Sequence, residues 1–241
     1  MAKLVITDKD INKSNIDYLY YSLSDLIVQT ESVMSEKHLG ARQCLSIESK
    51  EYYFDIIKGE VLDKIADVIV VNYKYNYFKN NLTLNGLNDI EKELLLTLLI
   101  SADLDDDKKY CAQKLKGFNE LSVDGMFNFR LKPLKNKWKE IAEYMPSYFS
   151  TSNLKEFVAY LLEGKKKRVF VDGNKVYDAN YRRLTRGVLM NEKLQDGKII
   201  REILLSGSGE VELSGTLSPT DEYYIKEFYG DRVICMGGYY S

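Results

Sequence analysis

At 241 residues, 45% hydrophobic and 29% charged, the chain is long enough to bury roughly 70–75% of its unfolded surface without disulfide or metal staples, and too apolar to stay disordered. Its net charge of −2 hides a block pattern: residues 1–129 hold 15 basic and 21 acidic side chains, residues 130–201 hold 17 and 8, and residues 202–241 hold 2 and 7. A basic block between two acidic ones points either to an anionic partner or to charge neutralised within the fold.

In chain order, Lys3–Thr7 reads as a short strand, and Asn15 to about Met34 as a helix carrying Ile16, Leu19, Leu23 and Ile27 at helical spacing. Cys44–Glu48 and Tyr52–Ile57 read as strands with a turn between them. After Gly59 a stripe of Val61, Leu62, Ile65, Val68, Ile69 and Tyr73 marks a buried helix. Asn88 or Asp89 caps the next helix, with Glu91 in its first turn, and another helix follows Asp105–Asp107. A fourth helix starts at Pro133, where a missing N–H does little harm, and buries Leu134, Trp138 and Ile141. A fifth begins near Asn153, with Glu156 completing a capping box.

The last third returns to strands. Arg168–Asp172 and Lys175–Tyr177 flank Gly173-Asn174, a strong hairpin signal because both residues tolerate positive φ. Ile199–Leu205 reads as a strand, Gly207–Gly209 as a turn into Val211–Leu213, Thr220–Tyr229 as a helix and Arg232–Met236 as a final strand. The expected fold class is α+β with a helical middle, in segments 1–58, 59–164 and 165–241 that form one domain or more.

Several stretches resemble the YtxC-like sporulation-protein family of endospore-forming bacteria. They are Ile65–Ile69 leading to a tyrosine-rich helix end, Val123–Leu131, the helix containing Phe157, and Phe228–Cys235. The resemblance covers about two thirds of the chain in order. It implies a cytoplasmic protein made during sporulation, and it carries over no catalytic residues. The family often has a second cysteine three residues after its last-strand cysteine, and here that position is Gly238.

The chemical motifs mostly fail on inspection. Cys44, Cys111 and Cys235 are odd in number, widely spaced and without a Cys-x-x-Cys pair, as for reduced cytosolic thiols. Asp103–Asp107 resembles the start of a calcium loop, but Lys108 and Lys114 stand where a glycine and a glutamate are needed, so a solvated helix-capping turn is expected. Gly207-Ser-Gly209 lacks the third glycine of a dinucleotide fingerprint and reads as a hairpin turn. His38, the only histidine, falls in a polar stretch that reads as a loop. The opening apolar run is too short for a signal peptide, and Leu94–Ile100 is far short of the roughly 20 residues of a membrane span. No metal, cofactor or catalytic group is therefore expected, and an enzyme is disfavoured.

Two kinds of binding residue remain. Lys165, Lys166, Lys167 and Arg168, with Arg182, Arg183 and Arg186 beyond the hairpin, are candidates for weak nucleic-acid or other polyanion binding if the fold brings them together. Phe127, Phe129, Arg130 and Trp138 are expected to be structural, with the two phenylalanines packed and Arg130 held by a carboxylate or carbonyl. The first expectation for function is a non-enzymatic cytoplasmic protein of the sporulation programme acting through protein partners. The alternative is a polyanion binder using the basic block.

Overall fold

A computed structural model describes residues 1–190 and 196–235. Gly238 and Met236 lie outside them. In chain order the elements are β1 (Ala2–Lys9), α1 (Lys13–Gln29), β2 (Val33–Leu39), β3 (Arg42–Ser49), α2 (Glu51–Asp67), a π turn (Val68–Tyr73) and α3 (Lys74–Asn81). Then come α4 (Asp89–Ser101), α5 (Leu104–Leu115), β4 (Glu120–Ser122), α6 (Val123–Arg130), α7 (Lys132–Tyr144) and α8 (Thr151–Leu162). The remainder is β5 (Arg168–Asp172), β6 (Lys175–Tyr177), β7 (Arg183–Leu184), a 3-10 turn (Arg186–Leu189), α9 (Lys198–Ser206), β8 (Glu210–Ser214), α10 (Pro219–Tyr229) and β9 (Val233–Cys235). The fold is α+β, with helices in the middle and two mixed sheets. No helix among the described residues is long and apolar enough to cross a membrane.

The chain forms two compact units, Met1–Asn76 with Asp105–Glu143, and Tyr77–Leu104 with Tyr144–Ser241. In the first, a sheet of order β2-β3-β1-β4 pairs β1 antiparallel to β3 and parallel to β4. Leu4 and Ile6 of β1 stand opposite Ile47 and Leu45 of β3, and all four are buried. α1 packs on these strands with Ile16, Leu19 and Leu23 fully buried. In the second unit a sheet of order β7-β6-β5-β8-β9 turns Val169, Val171, Val176, Val211 and Leu213 inward. α9 packs with α4 in the same unit, and α8 also lies against α4.

Several local expectations are corrected. Tyr52–Ile57 is the start of helix α2, not a strand. Its aromatic and β-branched residues favour strands locally, but Ile57, Val61 and Ile65 continue one buried stripe at helical spacing. Ile199–Leu205 is helix α9, bounded by Gly197 and Gly207, both left-handed. Helix α1 stops at Gln29, so Val33–Leu39 is free to become an edge strand, and His38 sits in that strand rather than a loop. The capping box of α8 is Ser150 with Asn153, not Asn153 with Glu156. Gly207–Gly209 joins a helix to a strand instead of closing a hairpin.

Other expectations stand. Asn88 caps α4: the Glu91 N–H donates to Asn88 Oδ1 at 2.9 Å and the Asn88 N–H to Glu91 Oε2 at 2.9 Å. α7 opens around Pro133 and buries Leu134 and Trp138 as expected, but Ile141, expected beside them in the core, is only half-buried. β5 and β6 pair as an antiparallel hairpin across Gly173-Asn174.

Candidate functional site

Two polar networks run through the first unit, and both are reached from the end of a π turn. Val68–Val71 are four consecutive buried β-branched residues, a run that strains a regular α-helix. The wider turn carries the Lys74 N–H back to Ile69 O, five residues earlier. Tyr73 and Lys74 are adjacent and point about 100° apart or a little less, so they reach two different buried aspartates. Asp8 at the end of β1 accepts from the Tyr73 hydroxyl at 3.0 Å, the Lys9 N–H at 2.8 Å, Asn12 Nδ2 at 3.0 Å and Asn15 Nδ2 at 2.9 Å. Burial, and then the Asp8 charge, push the Tyr73 phenol well above its ordinary value, so it stays a neutral donor. Arg42 of β3 donates to Ser122 Oγ at 2.8 Å and Thr7 Oγ1 at 3.2 Å, and forks onto both oxygens of Asp124.

Asp107 on α5 accepts from Lys74 Nζ at 3.0 Å, Lys137 Nζ at 2.8 Å and Trp138 Nε1 at 3.2 Å. The helix expected to follow Asp105–Asp107 instead begins at Leu104 and includes them; Asp105 and Asp106 are exposed as a solvated acidic stretch would be, whereas Asp107 is buried. Asp8 and Asp107 are each surrounded by donors from the chain itself. They brace this unit, and neither presents an open carboxylate to a ligand.

The aromatic residues expected to be structural divide. Helix α6 places Phe127 inward, stacked on Trp138 at 5.5 Å and tilted against Tyr73 at 4.6 Å. Phe129 is 76% exposed, against the packing role expected of it. Two residues apart on a helix is about 200° of arc, so both rings cannot face one core. Arg130 is exposed, and its guanidinium lies 5.5 Å from the Phe118 ring centroid in place of the expected carboxylate or carbonyl.

The basic candidates lie in the second unit. Lys165–Lys167 lead into β5, and Arg182–Arg183 lead into β7. Phe170 pairs with Tyr177, and Tyr177 with Arg183, so the register puts both basic groups at the same end of the sheet. Arg183 and Phe170 stand two strands apart, about 10 Å. Lys165, Lys166, Arg182 and Arg183 are exposed, and among the described residues none is paired with a carboxylate. Arg168 differs: its Nη2 and Nε donate to Glu210 at 2.9 and 3.0 Å and its Nη1 to Glu212 at 3.3 Å. Hydrogen bonding to Glu210 drives its pKa still higher, but its charge is balanced. Lys167 is exposed, and its carbonyl accepts the Gly209 N–H at 2.9 Å. Arg186 is half-buried at the 3-10 turn, where its N–H and that of Gly187 donate to Glu202 at 3.0 and 2.6 Å. A Cβ on Gly209 would stand 2.2 Å from Lys165 O, so only glycine lets the α9–β8 connection pass the basic strand entry this closely.

Between the two basic groups sits an aromatic pair that the sequence reading missed. Tyr181 lies flat on Phe170, with ring centroids 4.7 Å apart and an interplanar angle of 17°. Tyr181 is 70% exposed and has φ 56°, a left-handed conformation that costs a non-glycine residue roughly 1 kcal/mol. The loop over-determines it. Asp178 Oδ1 accepts the N–H groups of Asn180 and Arg182 at 2.8 and 2.9 Å, and Asp178 O accepts that of Tyr181 at 2.9 Å. The alternation of Arg168, Phe170 and Asp172 against buried Val169 and Val171, with an Asp-Ala-Asn turn ahead, was the available signal.

The second unit also has a 520 Å³ cleft floored by Phe78, Leu82, Leu84 and Leu96. Its charges are paired, Lys79 of α3 with Glu93 of α4 at 3.8 Å and Lys92 with Asp89 along α4 at 3.4 Å. Among the described residues no group of three or more His, Cys, Asp or Glu side chains is placed to hold a metal ion. No protein-family model, curated protein or solved structure matches the chain.

Proposed function

We propose that this chain is a binding protein rather than an enzyme, and that its second unit takes a phosphate-bearing polymer at the basic end of the five-stranded sheet. One observation carries the reading: Lys165 and Lys166, and Arg182 and Arg183, enter neighbouring parts of one sheet at the same end, with no carboxylate partner among the described residues. Arg168 contributes less, since Glu210 and Glu212 already hold its charge. Four phosphate contacts give a log–log salt slope of about −3, because each releases a condensed counterion. Retention on heparin at about 50 mM salt, falling with that slope and lost in Lys166→Glu with Arg183→Glu, is the expected result. No retention at that salt, or retention unchanged in the double variant, would overturn it.

A second reading rests on the resemblance of Ile65–Ile69, Val123–Leu131 and Phe228–Cys235 to the YtxC-like family. In it the protein is cytoplasmic, is made during sporulation and acts through a protein partner. A fluorescent fusion followed through sporulation tests it, and signal confined to growing cells would count against it.

A further inference from the structure

We infer that the polymer is a single-stranded nucleic acid and that one of its bases stacks on the exposed ring of Tyr181. This inference rests on the polyanion reading above and narrows it. The Tyr181 ring already lies parallel to Phe170, so one aromatic face is occupied while the residue remains 70% exposed. Such a ring, backed by another and held flat, is a platform that any base can extend, because every base has a π face. The loop spends conformational strain to hold it there: φ at Tyr181 is 56°, enforced by three hydrogen bonds to Asp178. Arg182 is the next residue and Arg183 the one after, while the strand under the ring begins at Arg168, directly after Lys165–Lys167. A base on Tyr181 therefore has cations on both sides for its flanking phosphates. A duplex hides its base faces in its own stack, and polyphosphate has none, so both would use the charges alone.

The test is fluorescence anisotropy with a labelled oligo(dT) of about 12 nucleotides at about 50 mM salt, with unlabelled polyphosphate and duplex DNA as competitors. The variants are Tyr181→Phe, Tyr181→Ala and Tyr181→Gly. Glycine suits a positive φ, so Tyr181→Gly removes the ring while relieving the backbone. We expect Tyr181→Phe to bind as the parent does. Tyr181→Ala and Tyr181→Gly should lose about tenfold or more for oligo(dT), the usual value of one stacked base, and keep their affinity for polyphosphate. Oligo(dT) should outcompete both duplex and polyphosphate at equal phosphate concentration. If oligo(dT) binds Tyr181→Ala and Tyr181→Gly as tightly as the parent, or polyphosphate competes equally well, the stacking inference fails and the polyanion reading stands. If neither oligo(dT) nor polyphosphate binds, both fail.

Discussion

Lys74 and Asp107 face each other inside the first unit, Nζ to Oδ2 at 3.0 Å, with side chains 0% and 3% exposed. A lysine so fully withdrawn from water needs its counter-charge in place, because its desolvation is otherwise uncompensated. Asp107→Asn is therefore expected to destabilise the protein by about 3–5 kcal/mol in urea unfolding. Lys74→Met leaves Asp107 its contacts with Lys137 and Trp138 and is expected to cost less. The double variant should be more stable than Asp107→Asn alone. An Asp107→Asn midpoint equal to the parent's would refute the assignment.

Acid should weaken the same unit. Burial alone would raise the Asp107 pKa, but the Lys74 charge and hydrogen bonds from Lys137 and Lys74 outweigh it and hold the carboxyl below its ordinary value. Asp124 behaves alike: burial is outweighed by its hydrogen bonds from Arg42 and Ser122 and by the Arg42 charge. A depressed folded pKa contributes stability that is complete above the unfolded value of about 3.9 and disappears as pH falls below it toward the folded values. Trp138 is the only tryptophan and donates to Asp107, so its fluorescence reports this unit directly. Urea midpoints read by that signal should hold down to about pH 4, fall progressively below it, and fall less in Asp107→Asn.

The three thiols should separate by reactivity. Cys235 is exposed, whereas Cys44 and Cys111 are buried. Burial, and then the Asp107 charge, push the Cys111 thiol up to about 12, which suppresses the thiolate that reacts. A thiol-specific dye at pH 8 is expected to label one cysteine quickly in the native protein and all three in denaturant. Fast labelling of Cys111 peptides in the native state would contradict its placement.

Tyr229 offers a gain in stability. It is 3% exposed, its hydroxyl has no hydrogen-bond partner among the described residues, and burial drives its pKa strongly upward. Tyr229→Phe removes an unsatisfied buried oxygen and is expected to stabilise by about 1 kcal/mol. A midpoint lowered by that much would show that the hydroxyl has a partner after all.

How far the chain could be read before its structure was known varies with the kind of signal. Asn88 before Glu91, Pro133 at a helix start and Gly173-Asn174 in a hairpin are local devices, and each works within a few residues of itself. Tyr52–Ile57 and Ile199–Leu205 read as strands but form helices, because short apolar runs suit strand and buried helix equally. Length and flanks settle such cases: Gly197 and Gly207 at either end of α9 were visible punctuation. Asp107 looked like its exposed neighbours, and only Lys74, 33 residues away, gives it another role. At the sheet end the basic residues were legible one by one. The Phe170–Tyr181 stack was not, because it depends on a loop conformation at Tyr181 that single-residue preference disfavours.

The interleaving of the two units sets an order on biosynthesis. A ribosome delivers Lys74 well before Asp107, and between them it delivers α4, whose Leu94–Ile100 is covered by partners in α8 and α9 that do not yet exist. Neither unit can close from a contiguous stretch of nascent chain, and an apolar helix waits uncovered during much of translation. The same fact governs dissection in the laboratory. A fragment ending at Glu143 holds all of the first unit but carries α4 stripped of its cover, and is expected to aggregate. Replacing 77–104 by a short linker is the cut that respects the architecture.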